Sequence, residues 1–593
     1  MKKWKSDTGG KERSVVLDVL KAIAIIAVVF YHIGYLEYGY LGVDIFLVIN
    51  GFLVTQSLMR QIENDSFSYL KFLVEKIIRL WPLILLAGAI SLITGYFVML
   101  PDDYENLAES VVASNLFSNN ILACITTRNY WDVCNNYKPL MHMWYVGILV
   151  QSYFILPIIP CVVRKIHKRD SKNCVGIAFL LIASCSLVLN ILPSVPNEYC
   201  FYFLPWRFFE IAVGAAVACL DGKKYIKILR GGWNGAFPLA LLILCLLCPI
   251  KEVPNLVRQI LICMGMVFLI RLDLSGKLCW ANNSIINKFS VIGKCTFSIF
   301  VWHQVILAFI RYTIKPSLTI FDVVCFGALL AVITGVSYLL IEKQISRGSS
   351  KGVFLVCAVA CVIITSGAYV IYNHAGVVRD VPELNVQKDG GQRHMFAEYC
   401  DRVYSYDKDF SDDGRTKVVV IGNSYGRDWA NILLESDFAE DIEVSYIFPY
   451  SDEYIVEHDY RMESADYIFW VISDNGFQTV PTYLTEYYRQ GKVYLVGNKL
   501  FGESNGIIYN KRGTSEYYES SVFLTQDYIS QNDRLKEKYN GHYIDLIGVV
   551  QKPDGSVRVF TDNHKFISQD CRHLTQEGAK YYARILDLNW IVK

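Results

Sequence analysis

Charge is scarce in this sequence: Asp, Glu, Lys and Arg make up 19% of its 593 residues, against 53% for hydrophobic ones. A soluble chain of this length carries more charge and less apolar surface. Net charge is nearly absent too, at +1, which removes the electrostatic argument for nucleic-acid binding. No HExxH spacing occurs, and the one CxxC, Cys245-Leu246-Leu247-Cys248, lies inside an apolar run, so neither spacing suggests a metal site. The first apolar run lacks a small-residue cleavage site and contains Lys21 and His32, so it reads as a retained first span and not as a signal peptide. Most of the 17 cysteines lie inside apolar segments, where a cysteine is a small hydrophobe. Cys124, Cys134, Cys400 and Cys571 are the exceptions; they are expected outside, where a disulfide can persist in an oxidising compartment.

What the chain has in abundance is long apolar stretches. Up to about residue 375 they recur at lengths that cross a bilayer, roughly 20 residues at 1.5 Å each. Candidate spans lie near 14–36, 41–59, 80–100, 140–163, 175–193, 203–220, 233–250, 255–271, 291–311, 320–341 and 352–373, about eleven by the length rule. An odd count puts the two ends on opposite sides. Basic segments such as Arg164-Lys165-Ile166-His167-Lys168-Arg169 and Lys223-Lys224-Tyr225-Ile226-Lys227 alternate with the acidic Pro101-Asp102-Asp103-Tyr104-Glu105. Positive-inside bias therefore puts the N-terminus in the cytoplasm and everything after about 375 outside.

Residues 376–413 are rich in Asp, Gly and polar types and read as a linker or irregular extension. Then the pattern changes. Lys417-Val418-Val419-Val420-Ile421 is a β-branched run ending in Gly422-Asn423-Ser424, and 429–434 continues at helical spacing, which predicts strand, tight turn, helix. Further strands are expected at 442–448, 466–473 and 492–496, with a helical stretch at 480–490. Alternating strands and helices predict a parallel sheet covered on both faces.

Ionisable residues inside spans are costly to bury and are paired, cavity-lining or functional. Lys21 and His32 are the first such pair. Their eleven-residue separation brings both onto one helix face, roughly 16 Å apart along the axis. The bland alternative is a snorkelling lysine and an interfacial histidine. The run from Leu17 through Lys21 to Tyr31-His32 resembles the opening of the acyltransferase-3 family of membrane acyltransferases, whose hallmark is Arg, ten residues, then His. Lysine stands in for that arginine; the charge is kept but the planar fork is lost.

Gly39 to Phe46 with Asn50-Gly51-Phe52-Leu53 is similar to the family's second signature, with Asn50 where serine is usual. Lys76-Ile77-Ile78-Arg79 resembles its Arg-x-x-Arg motif. Pro139 to Trp144 with Gln151 and Tyr153 resembles its His-x-Trp signature, although Leu149 and Val150 stand where acidic residues are common. Arg207-Phe208-Phe209-Glu210 with Gly214, Trp302-His303, and Ser337-Tyr338 through Ile341-Glu342-Lys343 extend the likeness to about residue 345. The resemblance implies a donor such as acetyl-CoA at the cytoplasmic face, with no tightly bound cofactor, and transfer across or within the membrane. His32 would deprotonate an acceptor hydroxyl or carry the acyl group. Lys76 and Arg79 would hold donor phosphates, unless they are ordinary positive-inside anchors. His142, Arg207 and His303 are expected to be structural or cavity-lining.

In the C-terminal part, Ser424 falls between a predicted strand and helix, where helix-terminal N–H groups can stabilise an oxyanion. Asp570-Cys571-Arg572-His573 precedes a predicted helix at 576–586, and the Asp-x-x-His spacing lets the carboxylate orient the imidazole. Serine, histidine and aspartate together complete a triad. Here the chain resembles the SGNH superfamily of hydrolases and acyltransferases, in the form fused behind acyltransferase-3 domains. That resemblance implies Ser424 as nucleophile, His573 as general base and Asp570 as its orienting partner. It also implies an asparagine oxyanion donor, for which Asn475 is the first candidate and Asn498 the second; the bland reading of each is a turn residue.

The expected architecture is a polytopic α-helical membrane domain of about ten or eleven transmembrane helices followed by an α/β SGNH-like domain with a parallel sheet. The expected boundaries are 1–345 for the acyltransferase domain, 346–375 for a further span, 376–413 for the linker or extension and 414–593 for the catalytic domain. The expected function is O-acylation, with acetyl the expected group, of an envelope glycan at the plasma (inner) membrane. O-antigen, peptidoglycan, capsule and exopolysaccharide all remain open as acceptors. Two alternatives stand beside it: a membrane-tethered extracytoplasmic esterase, and a non-enzymatic acyl conduit carrying a glycan-binding module.

Overall fold

The computed structural model describes residues 6–7, 11–12 and 14–592, apart from 129–134, 167–170, 193–194, 221–235, 249–251, 276–277, 279–283, 346–349, 389–394 and 472–478. Asn475, Cys134, His167-Lys168-Arg169 and the basic segment at 223–227 lie outside the described residues. The chain divides into two compact units, one of Met1–Gly95 and Asn106–Tyr369, the other of Tyr96–Glu105 and Val370–Lys593.

The first unit is helical. Among the described residues, nine helices are long and apolar enough to cross a membrane, or ten if a bent pair counts as one span. Of the run read at 233–250, the described residues form the twelve-residue helix Ala236–Leu247. The run at 291–311 is the bent pair, Ile286–Lys294 and Thr296–Thr313, turned by 64°.

Helix α1, Val15–Ile33, starts where the Ser14 side chain accepts the Leu17 N–H and ends on Gly34 in the left-handed region. Helix α2, Gly42–Glu63, crosses helix α3, Leu204–Cys219, at two glycines. A Cβ on Gly51 would lie 2.0 Å from the Ile211 carbonyl oxygen, and one on Gly214 would lie 2.0 Å from that of Val48. Small residues permit this backbone approach, which is how helices gain packing where lipid offers no hydrophobic drive. Beside the crossing, Arg207 pairs with Asp44 at 3.1 Å and with Glu210 at 3.1 Å, all three enclosed.

The second unit carries five parallel strands: β1 Thr416–Ile421, β2 Ile442–Ile447, β3 Tyr467–Val471, β4 Val493–Val496 and β5 Tyr543–Ile544. Their order in the sheet is β2-β1-β3-β4-β5. One face packs Val419, Ile421, Ile468, Trp470, Val493 and Leu495 against Ile455, Met462, Leu484 and Leu535. On the other face, helix α4, Ser424–Leu434, sets Trp429 against Phe469 with ring centroids 5.1 Å apart. The expected 480–490 helix is a single turn, Thr482–Leu484, followed by Thr485–Arg489. The fifth strand pairs through only two residues, Tyr543 and Ile544, too few to give a period-two signal. Residues 376–413, read as a linker or extension, belong to this unit and include the turn Pro382–Leu384 and the helix Met395–Asp401.

Candidate active site

In a sheet of this order the chain leaves β1 on one side and returns on the other, opening a crevice beyond the carboxyl end of β1. Ser424 stands there, three residues past Ile421, as the first residue of α4. Asn423 caps the helix by accepting the Tyr425 N–H at 3.1 Å. The turn is tight: a Cβ on Gly422 would lie 2.9 Å from both Gly426 Cα and Val471 Cβ. Ser424 Oγ is 3.0 Å from His573 Nε2, and His573 Nδ1 is 2.5 Å from Asp570 Oδ2. Ser424 is 6% exposed.

The histidine loop is built around Asp570, whose Oδ1 accepts the backbone N–H groups of Arg572 at 2.9 Å and His573 at 2.7 Å. Cys571 bridges them with φ 68°. Burial opposes the Asp570 charge, but His573 and these two N–H groups outweigh it and hold the carboxyl well below the usual carboxylate range. With Asp570 ionised, His573 Nδ1 is the donor of that pair and Nε2 is left to accept from Ser424. A hydroxyl so placed can attack a carbonyl carbon while the imidazole takes its proton. The N-terminal N–H groups of α4 supply partial positive charge for the oxyanion.

The sequence reading missed the groups that hold the loop. Asp428, one turn after Ser424, accepts the Leu574 N–H at 3.1 Å and pairs with Lys499 at 2.7 Å, both side chains 1% exposed. Asn505 donates to the carbonyls of Ser568 at 2.7 Å and Gln569 at 3.0 Å. The available signal was helical: Asp428 follows Ser424 by four residues, so the two share a face of α4. Nothing in sequence marks Lys499 as its partner. Asn498, the second oxyanion candidate, is 1% exposed, and neither side-chain polar atom has a hydrogen-bond partner among the described residues. Cys400 and Cys571 are separate, buried, free thiols, so neither takes part in the disulfide expected as an option for this region. A cleft of about 310 Å³ beside the triad is lined by Asp102, Asp401, Arg427, Gln569, Asp570 and His573, among others. Burial, then the Asp570 charge, raise the Asp102 carboxyl well above its usual range.

In the helical unit the motif residues meet in pairs across long sequence separations. Asn50 lies 3.4 Å from the Tyr153 hydroxyl, Trp302 Nε1 donates to Ser337 Oγ at 2.7 Å, and Ser298 donates to Glu342. Three histidines also converge. The His303 ring centroid lies 5.2 Å from that of His32 and 5.0 Å from that of His142. Lys21 pairs with Asp18 at 3.6 Å, within α1. Lys76 lies over the Phe72 ring at 5.5 Å, and Arg79 is exposed. Arg207, expected to be structural or cavity-lining, is the centre of the buried Asp44 and Glu210 cluster.

Residues 15–342 match the family model described as an acyltransferase domain, acyltransferase-3. The chain belongs to that family. Its apolar helices make it a multi-pass membrane protein. It is 28% identical over 208 residues to the peptidoglycan O-acetyltransferase OatA of Listeria monocytogenes, covering 34% of this chain and 33% of that protein. It is 28% identical over 180 residues to an uncharacterised protein of Haemophilus influenzae, covering 30% of this chain and 73% of that one. A provisionally named O-acetyltransferase of Staphylococcus aureus is 23% identical over 374 residues, 59% of this chain and 60% of its own length. The chain thus spans a third of the Listeria protein and three-fifths of the staphylococcal one. No solved structure matches.

Proposed function

We propose that the protein is a membrane O-acyltransferase that takes an acetyl group from acetyl-CoA on the cytoplasmic side and places it on hydroxyls of an envelope glycan. In this reading the N-terminus is cytoplasmic, the second unit is an extracytoplasmic SGNH-like catalytic domain, and the membrane is the plasma (inner) membrane. The observation that carries it is the Ser424, His573, Asp570 array at hydrogen-bond distances, in a chain whose first half belongs to an acyltransferase family. The relatives named as O-acetyltransferases support acetyl as the group and a glycan as the acceptor.

The chemistry follows from the residues. Ser424 Oγ attacks the acyl carbonyl as His573 Nε2 takes its proton, and the displaced carrier leaves with that proton. A sugar hydroxyl then attacks the Ser424 ester and gives its proton to His573; the acyl–Oγ bond breaks, His573 returns the proton to the departing Ser424 oxygen, and the sugar leaves as its acetyl ester. Asp570 fixes the imidazole tautomer and stabilises the imidazolium. Asn475 is the proposed oxyanion donor, acting in addition to the α4 amides. In the membrane part, His32 handles the acyl group, Lys21 lies on the same helix, and Lys76 and Arg79 bind the donor phosphates.

Purified full-length protein in proteoliposomes, given labelled acetyl-CoA and envelope glycan, tests the proposal. Label on glycan hydroxyls, lost in Ser424→Ala, is the expected result. Free acetate without glycan label would replace it with the esterase reading. Neither product would leave the conduit reading. A reporter fused after Lys593 that is active only in the cytoplasm would overturn the orientation.

A further inference from the structure

His142 and His303 are enclosed in the helical unit, at 2% and 0% exposure, and each uses one ring nitrogen on a backbone carbonyl. His142 Nε2 meets the Val301 oxygen at 3.1 Å. His303 Nδ1 meets the Phe300 oxygen at 2.6 Å and that of Ile299 at 3.2 Å. A carbonyl only accepts, so these contacts assign the tautomers: the hydrogen of neutral His142 is on Nε2, and that of His303 is on Nδ1. The other nitrogen of each ring then carries a bare lone pair. Both, His142 Nδ1 and His303 Nε2, are buried without a hydrogen-bond partner among the described residues.

Burying an unsatisfied acceptor costs free energy that an apolar side chain would avoid. Two such acceptors stand side by side, with ring centroids 5.0 Å apart, and His303 is 5.2 Å from His32. Arg311 donates to the His32 backbone carbonyl and adds a fixed positive charge there. Tyr31 packs edge-on against His32, and Phe300 against His142.

We propose that His303 and His142 are a proton-accepting pair for His32, with His303 Nε2 as the receiving atom. The proposal rests on the reading that His32 handles the acyl group. In that step an imidazole nitrogen of His32 attacks an acyl thioester carbonyl: the C–N bond forms, the C–S bond breaks, and the thiolate leaves with the electron pair. The proton on the other His32 nitrogen passes to His303 Nε2, leaving a neutral acyl-imidazole. The thiolate takes a proton from water. His142 Nδ1 accepts a hydrogen bond from the new His303 imidazolium, and a centroid separation of 5.0 Å permits direct nitrogen-to-nitrogen contact.

The test measures thiol release from acetyl-CoA by the full-length protein in proteoliposomes. His303→Ala removes the base, and His303→Asn removes it while keeping an N–H donor for the Phe300 carbonyl. Each is expected to slow thiol release by about 100-fold or more, the range of a lost general base. Added imidazole is expected to restore His303→Ala at least about tenfold, whereas pyrazole, of the same shape but far weaker basicity, restores nothing. Equal rescue by pyrazole, no rescue by imidazole, or a wild-type rate in His303→Asn would overturn the proposal. His32→Ala is run alongside: undiminished thiol release there sinks the reading of His32 itself, while loss there with a normal His303→Asn rate sinks only the proton-accepting pair.

Discussion

Removing the Asp428 charge tests whether the histidine loop is held by a buried ion pair. Asp428 and Lys499 are 2.7 Å apart and each 1% exposed, and the same carboxylate oxygen accepts the Leu574 N–H. Asp428→Asn keeps the shape but leaves an ammonium enclosed beside the Tyr425 ring, 4.4 Å from its centroid. Breaking a buried pair by removing one partner costs about 3–5 kcal/mol. At 1.4 kcal/mol per tenfold, local opening of the loop rises by roughly 10²- to 4 × 10³-fold. Two reporters are built in. Cys571 and Cys400 are 1% and 4% exposed, and burial pushes both thiols up, Cys400 to about 12, so alkylation of each requires opening. The assay is the alkylation rate of both thiols in full-length protein, resolved by peptide mass spectrometry. Asp428→Asn combined with Lys499→Met removes the stranded charge and is expected to return most of the loss. A single-variant rise below tenfold, or a double variant no slower than the single, would refute the reasoning.

Ser424→Ala and His573→Ala should each reduce glycan transfer on the order of 10⁶-fold, and Asp570→Asn about 10⁴-fold, because the last perturbs orientation and not the base; comparable losses in single-turnover assays of Asp570→Asn and His573→Ala would contradict this ordering. Asp102 has a raised folded-state pKa, so it is best tolerated when protonated, and its penalty grows as pH rises from the unfolded carboxylate value near 4 towards the raised folded one. Asp102→Asn is therefore expected to raise the melting temperature at pH 7 and to lose that advantage near pH 3, with the opposite pH trend as the refuting melt. Asp570 has the reverse sign: its stabilisation is present above the unfolded carboxylate value near 4 and is lost as pH falls below it. Lys21→Arg should retain glycan acylation and Lys21→Ala should impair it at least about tenfold, since only the second deletes the charge; equal activity of the two, measured at equal expression, would return Lys21 to a snorkelling role.

Much of the second unit was legible because its information is local. A β-branched run followed by a helical period places Ser424 at a strand-to-helix turn, and Asp570 and His573 sit three residues apart in one loop, so the pattern that suggests the triad also builds it. What holds the triad was not legible, because it is long-range. Lys499 meets Asp428 across 71 residues of chain, and Asn505 reaches carbonyls more than 60 residues away. In the helical unit the spans followed from length and hydropathy, whereas the 64° bend before Thr296 did not. Hydropathy counts apolar residues and carries no information about where an apolar helix stops or turns. The histidine cluster was hidden for a related reason: His142 and His303, each expected to be structural or cavity-lining, lie far apart in sequence, and only packing brings their rings to 5.0 Å.

The triad geometry alone does not decide between transferase and esterase, because both begin with the same attack and the same Ser424 ester. The second step decides it. Water and a sugar hydroxyl are nucleophiles of similar strength, and water is far more concentrated, so transfer requires an acceptor held in place and water kept from the ester. Ser424 is 6% exposed, and on its helix Asp428 is buried in its pair with Lys499, whose ammonium also lies 4.4 Å from the Tyr425 ring centroid. The adjacent cleft of about 310 Å³ offers carboxyl groups at Asp102 and Asp401 and the Arg427 guanidinium, groups that hydrogen-bond to sugar hydroxyls. Arg427 is already tied to Asp401 at 2.8 Å, which fixes its planar fork before any ligand arrives and lowers the entropy lost on binding. On the proposed function, removing that fork should act on the second step and not the first. Arg427→Ala is thus expected to leave cleavage of a small activated ester nearly unchanged while lowering the ratio of glycan transfer to hydrolysis by about tenfold, the effect of losing one charge-assisted contact of about 1.4 kcal/mol. A parallel fall in both activities would assign Arg427 to the structure of the cleft, and an unchanged ratio would move acceptor selection elsewhere.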